Sequence, residues 1–207
     1  MEDILDLYEE PYDQSRPVLC IDERPCQLIG DVVGPIPMKP GKPKKVDHEY
    51  ERNGTCSVFI ACEPLTGWRY LEVRKQRTKM DYAEFMDRMS EHYTDASVMR
   101  VVQDNLNTHT PGSFYERFDA QKAWCLKNRF EFHPTPKKGS WLNMAEIELS
   151  ALARQCLDRR IGDIETLENE AKAWEEKRNQ QKIRIQWRFT TNHARDKLER
   201  HYKAVKN

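Results

Sequence analysis

The sequence predicts an α/β fold in which a mixed sheet of about five strands is flanked by helices, with a helical extension at the C-terminus. Apolar runs typical of strands alternate along the chain with helical patterns, an order that favours a sheet covered by helices. A chain of 207 residues suffices for one domain that buries roughly two-thirds of its unfolded surface. The 5 Trp, 8 Tyr and 7 Phe supply a core although 33% of the residues are charged and the mean hydropathy is −0.89.

The first half of the chain predicts a short helix, a strand and a hairpin. Residues 3–10 form the helix, and residues 18–22 (VLCID) form a buried strand that stops on its aspartate. Residues 34–45 contain four prolines, two glycines and four lysines, which predicts a loop because proline lacks the donor that a ladder needs. Residues 55–62 and 68–74 are the two strands of the hairpin.

The second half predicts two further strands and several helices. A stripe of apolar residues at steps of three and four indicates a long helix that begins at Ser140, its expected N-cap. We therefore expect a lead-in segment at 1–17, an α/β domain at 18–160 and a basic helical extension at 161–207. The expected elements are helices at 80–93, at 114–129 with a break near Asp119, from 140 onward, at 164–181 and at 191–205, and strands at 97–103 and 130–133.

Composition excludes several classes of protein. No apolar run approaches the ~18–20 residues of a membrane span, and the acidic start MEDILDLYEE lacks the pattern of a signal peptide. The six cysteines form no C-x-x-C pair, which favours reduced thiols over a zinc site. We expect a cytoplasmic protein with no membrane association. The formal net charge is +0, but residues 177–206 are strongly basic, which permits a polyanionic partner.

Two of the predicted strands run into an aspartate. Asp22 follows one apolar run and Asp104 follows another (VVQD), so parallel pairing would place both at the edge of the sheet where ligands of α/β proteins bind. Adjacent carboxylates repel unless a cation lies between them, and oxygen ligands suit Mg²⁺. The alternative is that both aspartates only form turns or cap helices, as aspartates at strand ends commonly do.

A third carboxylate is expected from the start of the long helix. Glu146 and Glu148 point about 200° apart at 3.6 residues per turn, so only one of them can face the sheet edge. Glu146 shares a helix face with Asn143, three residues earlier, and is the residue we select.

Four stretches together resemble the DDE-type transposases of the bacterial insertion-sequence branch of the mariner-like group. The resemblance extends from about Met1 to Tyr202. The stretches are QDNLNTHT at 103–110, TPKKGSWLNMAEIEL at 135–149, DHEYERNGT at 47–55, and Phe189-Thr190-Thr191 with Ala194-Arg195.

The resemblance implies an RNase H-like fold, as in retroviral integrases, and a two-metal site. It implies that Asp22, Asp104 and Glu146 bind two Mg²⁺ or Mn²⁺ ions and catalyse DNA cleavage at transposon ends, followed by transfer of the freed 3′-hydroxyl into target DNA. The implied partners are transposon ends and target DNA, with two copies of the protein pairing as a homodimer in a synaptic complex. The implied location is the bacterial cytoplasm, in association with the nucleoid.

The sequence departs from the family pattern in two respects. Asp104 and Glu146 are 42 positions apart, which is longer than in mariner-like relatives, and the helical stretch 113–129 accommodates the extra residues. Members of the family usually carry an N-terminal helix-turn-helix region that reads the transposon ends, and here the resemblance starts at about Met1. We therefore expect a truncated or split reading frame, or an isolated catalytic domain.

Three polar side chains near the carboxylates are candidates for orienting them. Asn105 and His109 follow the second aspartate, and Asn143 precedes Glu146. The alternative is that Asn105 and His109 shape the turn after the strand and that Asn143 caps the helix.

Six further residues are candidates for DNA contacts. Lys137 and Lys138 can bind phosphates or belong to a solvated loop, and Trp141 can stack on a base or pack in the core beneath the helix. The lysine-rich loop, with Lys42, Lys44 and Lys45, can follow a DNA backbone or serve solubility alone.

Two alternatives to an active transposase remain open at this stage. One is a catalytically incompetent remnant that acts as a DNA-binding or assembly module, favoured by the missing reader region and the zero net charge. The other is a related RNase H-like nuclease such as a junction resolvase.

Overall fold

A computed structural model describes residues 1–199, and a five-stranded sheet in the order β3-β2-β1-β4-β5 forms its centre. β1 pairs antiparallel with β2 and β2 with β3, whereas the β1–β4 and β4–β5 pairs are parallel. The predicted mixed sheet of about five strands is confirmed. The strands are β1 (Val18–Asp31), β2 (Tyr50–Glu63), β3 (Trp68–Arg74), β4 (Met99–Gln103) and β5 (Phe130–Pro134).

Helices cover both faces of the sheet. The first, fifth and sixth helices pack on one face, and the second, third and fourth pack on the other. No helix within residues 1–199 is both long and apolar enough to cross a membrane. The helix expected at 191–205 lies partly outside the described residues. The helices are α1 (Glu2–Glu9), α2 (Lys79–His92), α3 (Gly112–Arg117), α4 (Ala120–Arg129), α5 (Ala145–Gln155), α6 (Ile164–Gln180) and α7 (Thr191–Lys197).

Strand alternation divides the interior into two cores. In β1, Val18 and Cys20 pack toward α5, whereas Leu19 and Ile21 pack toward α2. The same alternation, continued along the strand, directs Asp22 toward the α5 face and Glu23 toward the α2 face.

The expectation that the first strand stops at residue 22 is wrong. β1 continues to Asp31 and stays paired with β2 along this length, for example at Cys26–Cys56. The polar stretch after Asp22 misled the prediction because polar side chains are tolerated in a two-stranded ribbon whose backbone groups are paired and whose faces are solvated. β4 does end immediately before Asp104, as expected.

The expectation that the long helix begins at Ser140 with this residue as N-cap is also wrong. Residues Ser140–Leu142 form a short 3-10 turn without a side-chain cap, and α5 begins at Ala145. The turn before it is tight, since a Cβ on Gly139 would lie 2.6 Å from Pro136 Cγ. The apolar stripe is nevertheless buried, because Leu142 and Leu152 face the same core.

The segment after α6 is extended and firmly attached to the hairpin between β2 and β3. Arg69 Nη2 donates to Ile183 O at 2.5 Å, and Ile185 N donates to Pro64 O at 3.2 Å. Gly67 is required here, because a Cβ would lie 2.7 Å from the Lys182 backbone. We call residues 182–189 the basic strap, because Ile185, Trp187 and Phe189 pack inward while Lys182, Arg184 and Arg188 are exposed.

Candidate active site

Asp22 and Asp104 lie next to each other at the carboxyl ends of the parallel part of the sheet. Cys20 pairs with Val102, so two further residues along each strand bring the aspartates level. The predicted parallel neighbourhood of these strands is therefore confirmed. Asp22 is only 9% exposed, whereas 39% of the Asp104 side chain is exposed.

Glu146 and Glu148 differ in the way that the helical spacing predicts. Glu146 is exposed on the first turn of α5. Glu148 is fully buried, with its carboxylate 3.0 Å from Arg69 Nε and 2.8 Å from Arg178 Nη2. The buried ion pairs occupy Glu148, which leaves Glu146 as the glutamate of this pair that can face a ligand.

The electrostatics of Asp22 indicate that the three carboxylates share one region. Burial is the largest cause that raises the pKa of Asp22 to about 7, and the charges of Glu146, Asp104 and Glu23 add to it. The Glu23 N–H opposes the shift by donating to Asp22 Oδ1 at 2.8 Å. Without a cation, Asp22 therefore holds a proton near neutral pH more readily than an ordinary aspartate.

His109 lies between two carboxylates. Its Nδ1 is 2.7 Å from Asp104 Oδ1, and its Nε2 is 2.7 Å from Glu23 Oε1. Burial disfavours the charged ring, but the hydrogen bonds to Asp104 and Glu23 outweigh burial and raise the pKa of His109 to about 9. The hydrogen bond from His109 in turn lowers the pKa of Asp104, with the Leu106 N–H also donating to that carboxylate. Asp104 is therefore ionised at neutral pH.

Asn143 connects α5 to the strand that carries Asp22. Its Nδ2 donates to Ile21 O at 2.8 Å and lies 3.5 Å from Asp22 Oδ2, while its Oδ1 accepts from Ala145 N at 3.1 Å. The residue therefore both supports the start of the helix and faces the carboxylate, so the two interpretations of Asn143 are compatible.

Asn105 makes a different contact from the one needed to orient a carboxylate. Its Nδ2 donates to Thr135 O at 2.5 Å, which ties the loop after β4 to the loop after β5. This contact supports the interpretation that Asn105 shapes the loop.

The candidate DNA-binding residues before α5 are exposed. Lys137 and Lys138 lie in the loop between β5 and the 3-10 turn, and Lys138 adopts φ 64°. Trp141 is 47% exposed and stacks beside Trp187 at 6.3 Å between ring centroids. Trp141 therefore does not pack in the core beneath the helix, and its indole is accessible beside the start of α5.

The lysine-rich loop is not brought to the carboxylates. Lys42, Lys44 and Lys45 are exposed in a loop closed by the Ile36–Lys45 and Lys39–Lys42 bridges. This loop lies beyond Asp31, the end of β1, which is roughly 30 Å along the strand from Asp22 at about 3.3 Å per residue.

Sequence reasoning missed two sets of residues. Glu23, next to Asp22, is buried with 8% of its surface exposed. The sequence signal that could have identified it is a second acidic residue directly after the apolar run. The residues of the basic strap were predicted only as part of the basic C-terminal extension. Their alternation of apolar and basic residues is typical of an extended segment with one basic face.

The residues present fit the chemistry of a divalent metal ion. Within residues 1–199, no three His, Cys, Asp or Glu side chains are already arranged as a metal-binding cluster. However, the donors near Asp22 are carboxylates, which hard divalent cations prefer, and after burial their charges are a further cause of the raised pKa of Asp22. The contacts of Asp104 use Oδ1, which leaves Oδ2 available, and Glu146 is free to turn its exposed side chain toward Asp22.

The strand order, with its parallel β1–β4 pair, is that of an RNase H-like fold. The family model of the DDE superfamily endonucleases matches residues 17–168, which is more than half of the chain, and the chain belongs to this family. The assignment to DDE-type proteins from sequence motifs is thereby confirmed.

Among solved structures, the chain resembles a transposase in the Mos1 transposase paired-end complex with left transposon end. The TM-score is 0.58 at 15% sequence identity, over 88% of this chain and 55% of that chain. At this identity the similarity shows the fold alone, and the chain spans little more than half of that transposase. No curated protein matches this chain in sequence.

Proposed function

We propose that this chain is the catalytic part of a DDE transposase that cleaves DNA at transposon ends and joins the freed 3′-hydroxyl to target DNA by in-line phosphoryl transfer. The observation that carries the proposal is the level position of Asp22 and Asp104 beside the parallel β1–β4 pair, with Glu146 on α5 close enough for its charge to raise the pKa of Asp22 after the larger effect of burial. Membership of the DDE endonuclease family supports the same chemistry.

Asp22, Asp104 and Glu146 would hold two Mg²⁺ or Mn²⁺ ions. Bound there, the metals would stabilise the charge on the attacking and leaving oxygens of the displacement. The protein contributes the placement of the ligands: Asn143 fixes the start of α5 against β1, and His109 holds Asp104. No side chain needs to become covalently attached to DNA.

DNA is the proposed partner, because the similar Mos1 transposase structure is a complex with a transposon end. Lys137, Lys138 and Trp141 are exposed just before α5 and would contact the strand near the reacting phosphate. Pairing of two copies in a synaptic complex remains part of the proposal. The division into residues 1–17, 18–160 and 161–207 also stays a prediction.

Asp104→Asn tests the proposal. It removes a ligand charge, so we expect metal-dependent nicking of a supercoiled plasmid in Mn²⁺ to be lost, while the protein stays folded with a melting temperature lowered by the weaker contact to His109. Wild type should melt at higher temperature with millimolar Mn²⁺, because a bound ion stabilises the folded state by mass action.

Asp95→Asn is the matched control, since Asp95 is exposed in the loop between α2 and β4. Equal nicking by Asp104→Asn and wild type would refute the catalytic assignment. No Mn²⁺-dependent shift in the melting temperature of wild type would favour a non-catalytic DNA-binding module. Joined products, as opposed to nicks alone, would distinguish a transposase from a junction-resolving nuclease.

A further inference from the structure

We propose that Glu23 is a positioning residue that orients Asp104 through His109. The inference rests on the proposed function, because it assigns Glu23 a role in arranging a metal ligand. Glu23 is not itself placed as a ligand, because strand alternation directs its side chain to the α2 face, opposite to that of Asp22.

The contact chain is short, direct and buried. Glu23 Oε1 and Asp104 Oδ1 each lie 2.7 Å from a nitrogen of the same imidazole. The side chain of His109 is 0% exposed and that of Glu23 is 2% exposed, so water does not compete for either contact. The two strands and the loop after β4 are thereby joined by one ring.

The two contacts define what the ring can do. Each ring nitrogen lies within hydrogen-bond distance of one carboxylate oxygen, so the imidazole is held at both ends. The contact to Glu23 fixes the direction of the ring. The contact to Asp104 passes this orientation on to the carboxylate.

The surroundings prevent the ring from finding another orientation. The Tyr82 ring lies 4.8 Å from the imidazole between centroids, and Tyr82 OH donates to Gln103 Oε1 at 2.7 Å. Gln103 Nε2 in turn donates to His109 O at 3.1 Å, which fixes the backbone of the loop. Glu23 is the group that sets the direction of Nε2, the ring nitrogen that does not contact Asp104.

Glu23 also acts on Asp22, through its backbone. Its N–H donates to Asp22 Oδ1 at 2.8 Å, while its side chain acts through His109 on Asp104 Oδ1. One residue therefore contacts Asp22 Oδ1 directly and Asp104 Oδ1 through His109, so that Asp104 Oδ2 stays available for an ion while Asp22 Oδ2 faces Asn143. This explains why a buried acid is tolerated beside carboxylates that already repel one another.

The test measures Mn²⁺ affinity of the full chain by calorimetry, independently of DNA cleavage. Glu23→Ala removes the acceptor, and we expect about 10–100-fold weaker Mn²⁺ binding, the usual cost of losing a partner that orients a metal ligand. Glu23→Gln keeps an acceptor oxygen in the same place, and we expect it to recover part of the lost affinity. In cleavage assays, the Mg²⁺ concentration for half-maximal rate should rise while KM for DNA stays unchanged.

Glu63→Ala is the matched control, because Glu63 is a buried strand glutamate that accepts from Tyr93 OH at 2.7 Å, away from the aspartates. It should lower stability without changing Mn²⁺ affinity. If Glu23→Ala does not fold, Glu23→Asp withdraws the acceptor by one methylene and should still weaken Mn²⁺ binding. Wild-type affinity in every folded Glu23 variant would overturn the inference.

A double-mutant cycle tests whether Glu23 acts through His109. In the His109→Ala background, Glu23→Ala should cause no further loss of Mn²⁺ affinity. Additive losses would overturn the inference. If the proposed function is wrong, Asp104→Asn should leave the Mn²⁺ affinity unchanged. If only this inference is wrong, Asp104→Asn should still weaken Mn²⁺ binding, whereas Glu23→Ala should bind Mn²⁺ as tightly as wild type.

Discussion

Glu146 and Glu148 are two residues apart on α5 and lie in opposite electrostatic environments. Glu148 is fully buried and its charge is matched by the guanidinium groups of Arg69 and Arg178. Glu146 is exposed, and its charge raises the pKa of Asp22. The comparison teaches that acidity alone does not mark a functional carboxylate. A buried carboxylate that contacts two guanidinium groups supports the fold, whereas Asp22 and Glu146, which contact no Arg or Lys among residues 1–199, are candidates for binding a metal ion.

Glu148→Gln tests whether the buried glutamate of this pair stabilises the fold. The change leaves Arg69, which is 1% exposed, and Arg178 with uncompensated charge in a nonpolar setting. We expect a loss of about 3–5 kcal/mol in the free energy of unfolding, measured by urea denaturation. The metal affinity of the protein that remains folded should be unchanged. A loss of less than about 1 kcal/mol would show that the three charges are not the support that their burial indicates.

Glu146→Gln tests whether the exposed glutamate of this pair is needed for DNA cleavage. The rate of Mn²⁺-dependent plasmid nicking should fall about 1,000-fold, because the site loses several kcal/mol of charge stabilisation in the transition state. The free energy of unfolding should change by no more than about 0.5 kcal/mol, as for other exposed positions. Each glutamate variant is the control for the other, and a Glu146 variant that destabilises more than the Glu148 variant would reverse the assignment.

The pH dependence of stability sharpens the comparison at Asp22. Its folded-state pKa of about 7 lies above the unfolded value of 3.8. The folded state therefore binds the proton more tightly, so the contribution of Asp22 to stability is complete below about pH 4 and is lost as the pH rises through 7. In chelator, wild type should lose on the order of 2–4 kcal/mol of stability relative to Asp22→Asn between pH 4 and pH 8.

Urea denaturation of both proteins at a series of pH values measures this difference. Millimolar Mn²⁺ should reduce it, because a cation replaces the proton as the partner of the carboxylate. Identical pH profiles for wild type and Asp22→Asn would show that ionisation of Asp22 does not destabilise the folded state.

The elements that were predictable from sequence are those whose local signals agree with their tertiary contacts. β3 has the predicted bounds, because the alternation in WRYLEVR is flanked by turn residues. The break between α3 and α4 falls at Asp119, whose side chain caps α4. At β1 and α5 the local signals conflict with the contacts. Pairing with β2 extends β1 through a polar stretch, and the anchoring of Asn143 to Ile21 moves the start of α5.

The candidate site was predictable only in part for the same reason. The aspartates follow apolar runs and Glu146 lies on a helix face, so strand and helix periodicity identified them as candidates and the family resemblance implied their role. The partner of Glu23 is 86 positions away in a loop, and no periodic pattern connects the two residues. Contacts of this kind depend on the geometry of the whole sheet edge.

The smallest expected effect concerns the exposed positive charges of the basic strap and the salt dependence of DNA binding. Lys182, Arg184 and Arg188 are exposed on the basic strap, whose Phe189 packs against Trp141 at 5.6 Å between centroids. If DNA near the active site crosses this face, replacing all three by Ala should reduce the slope of log affinity against log salt by up to about 3, roughly one for each phosphate contact. The metal affinity should be unchanged, because the strap contributes no carboxylate. Lys127→Ala on α4 is the matched control, since it removes an exposed cation from the opposite layer of helices. If Lys127→Ala changes the slope by as much as each strap residue does on average, the strap contributes only general positive charge. An exposed cluster of cations would then not indicate a DNA-binding site in this fold.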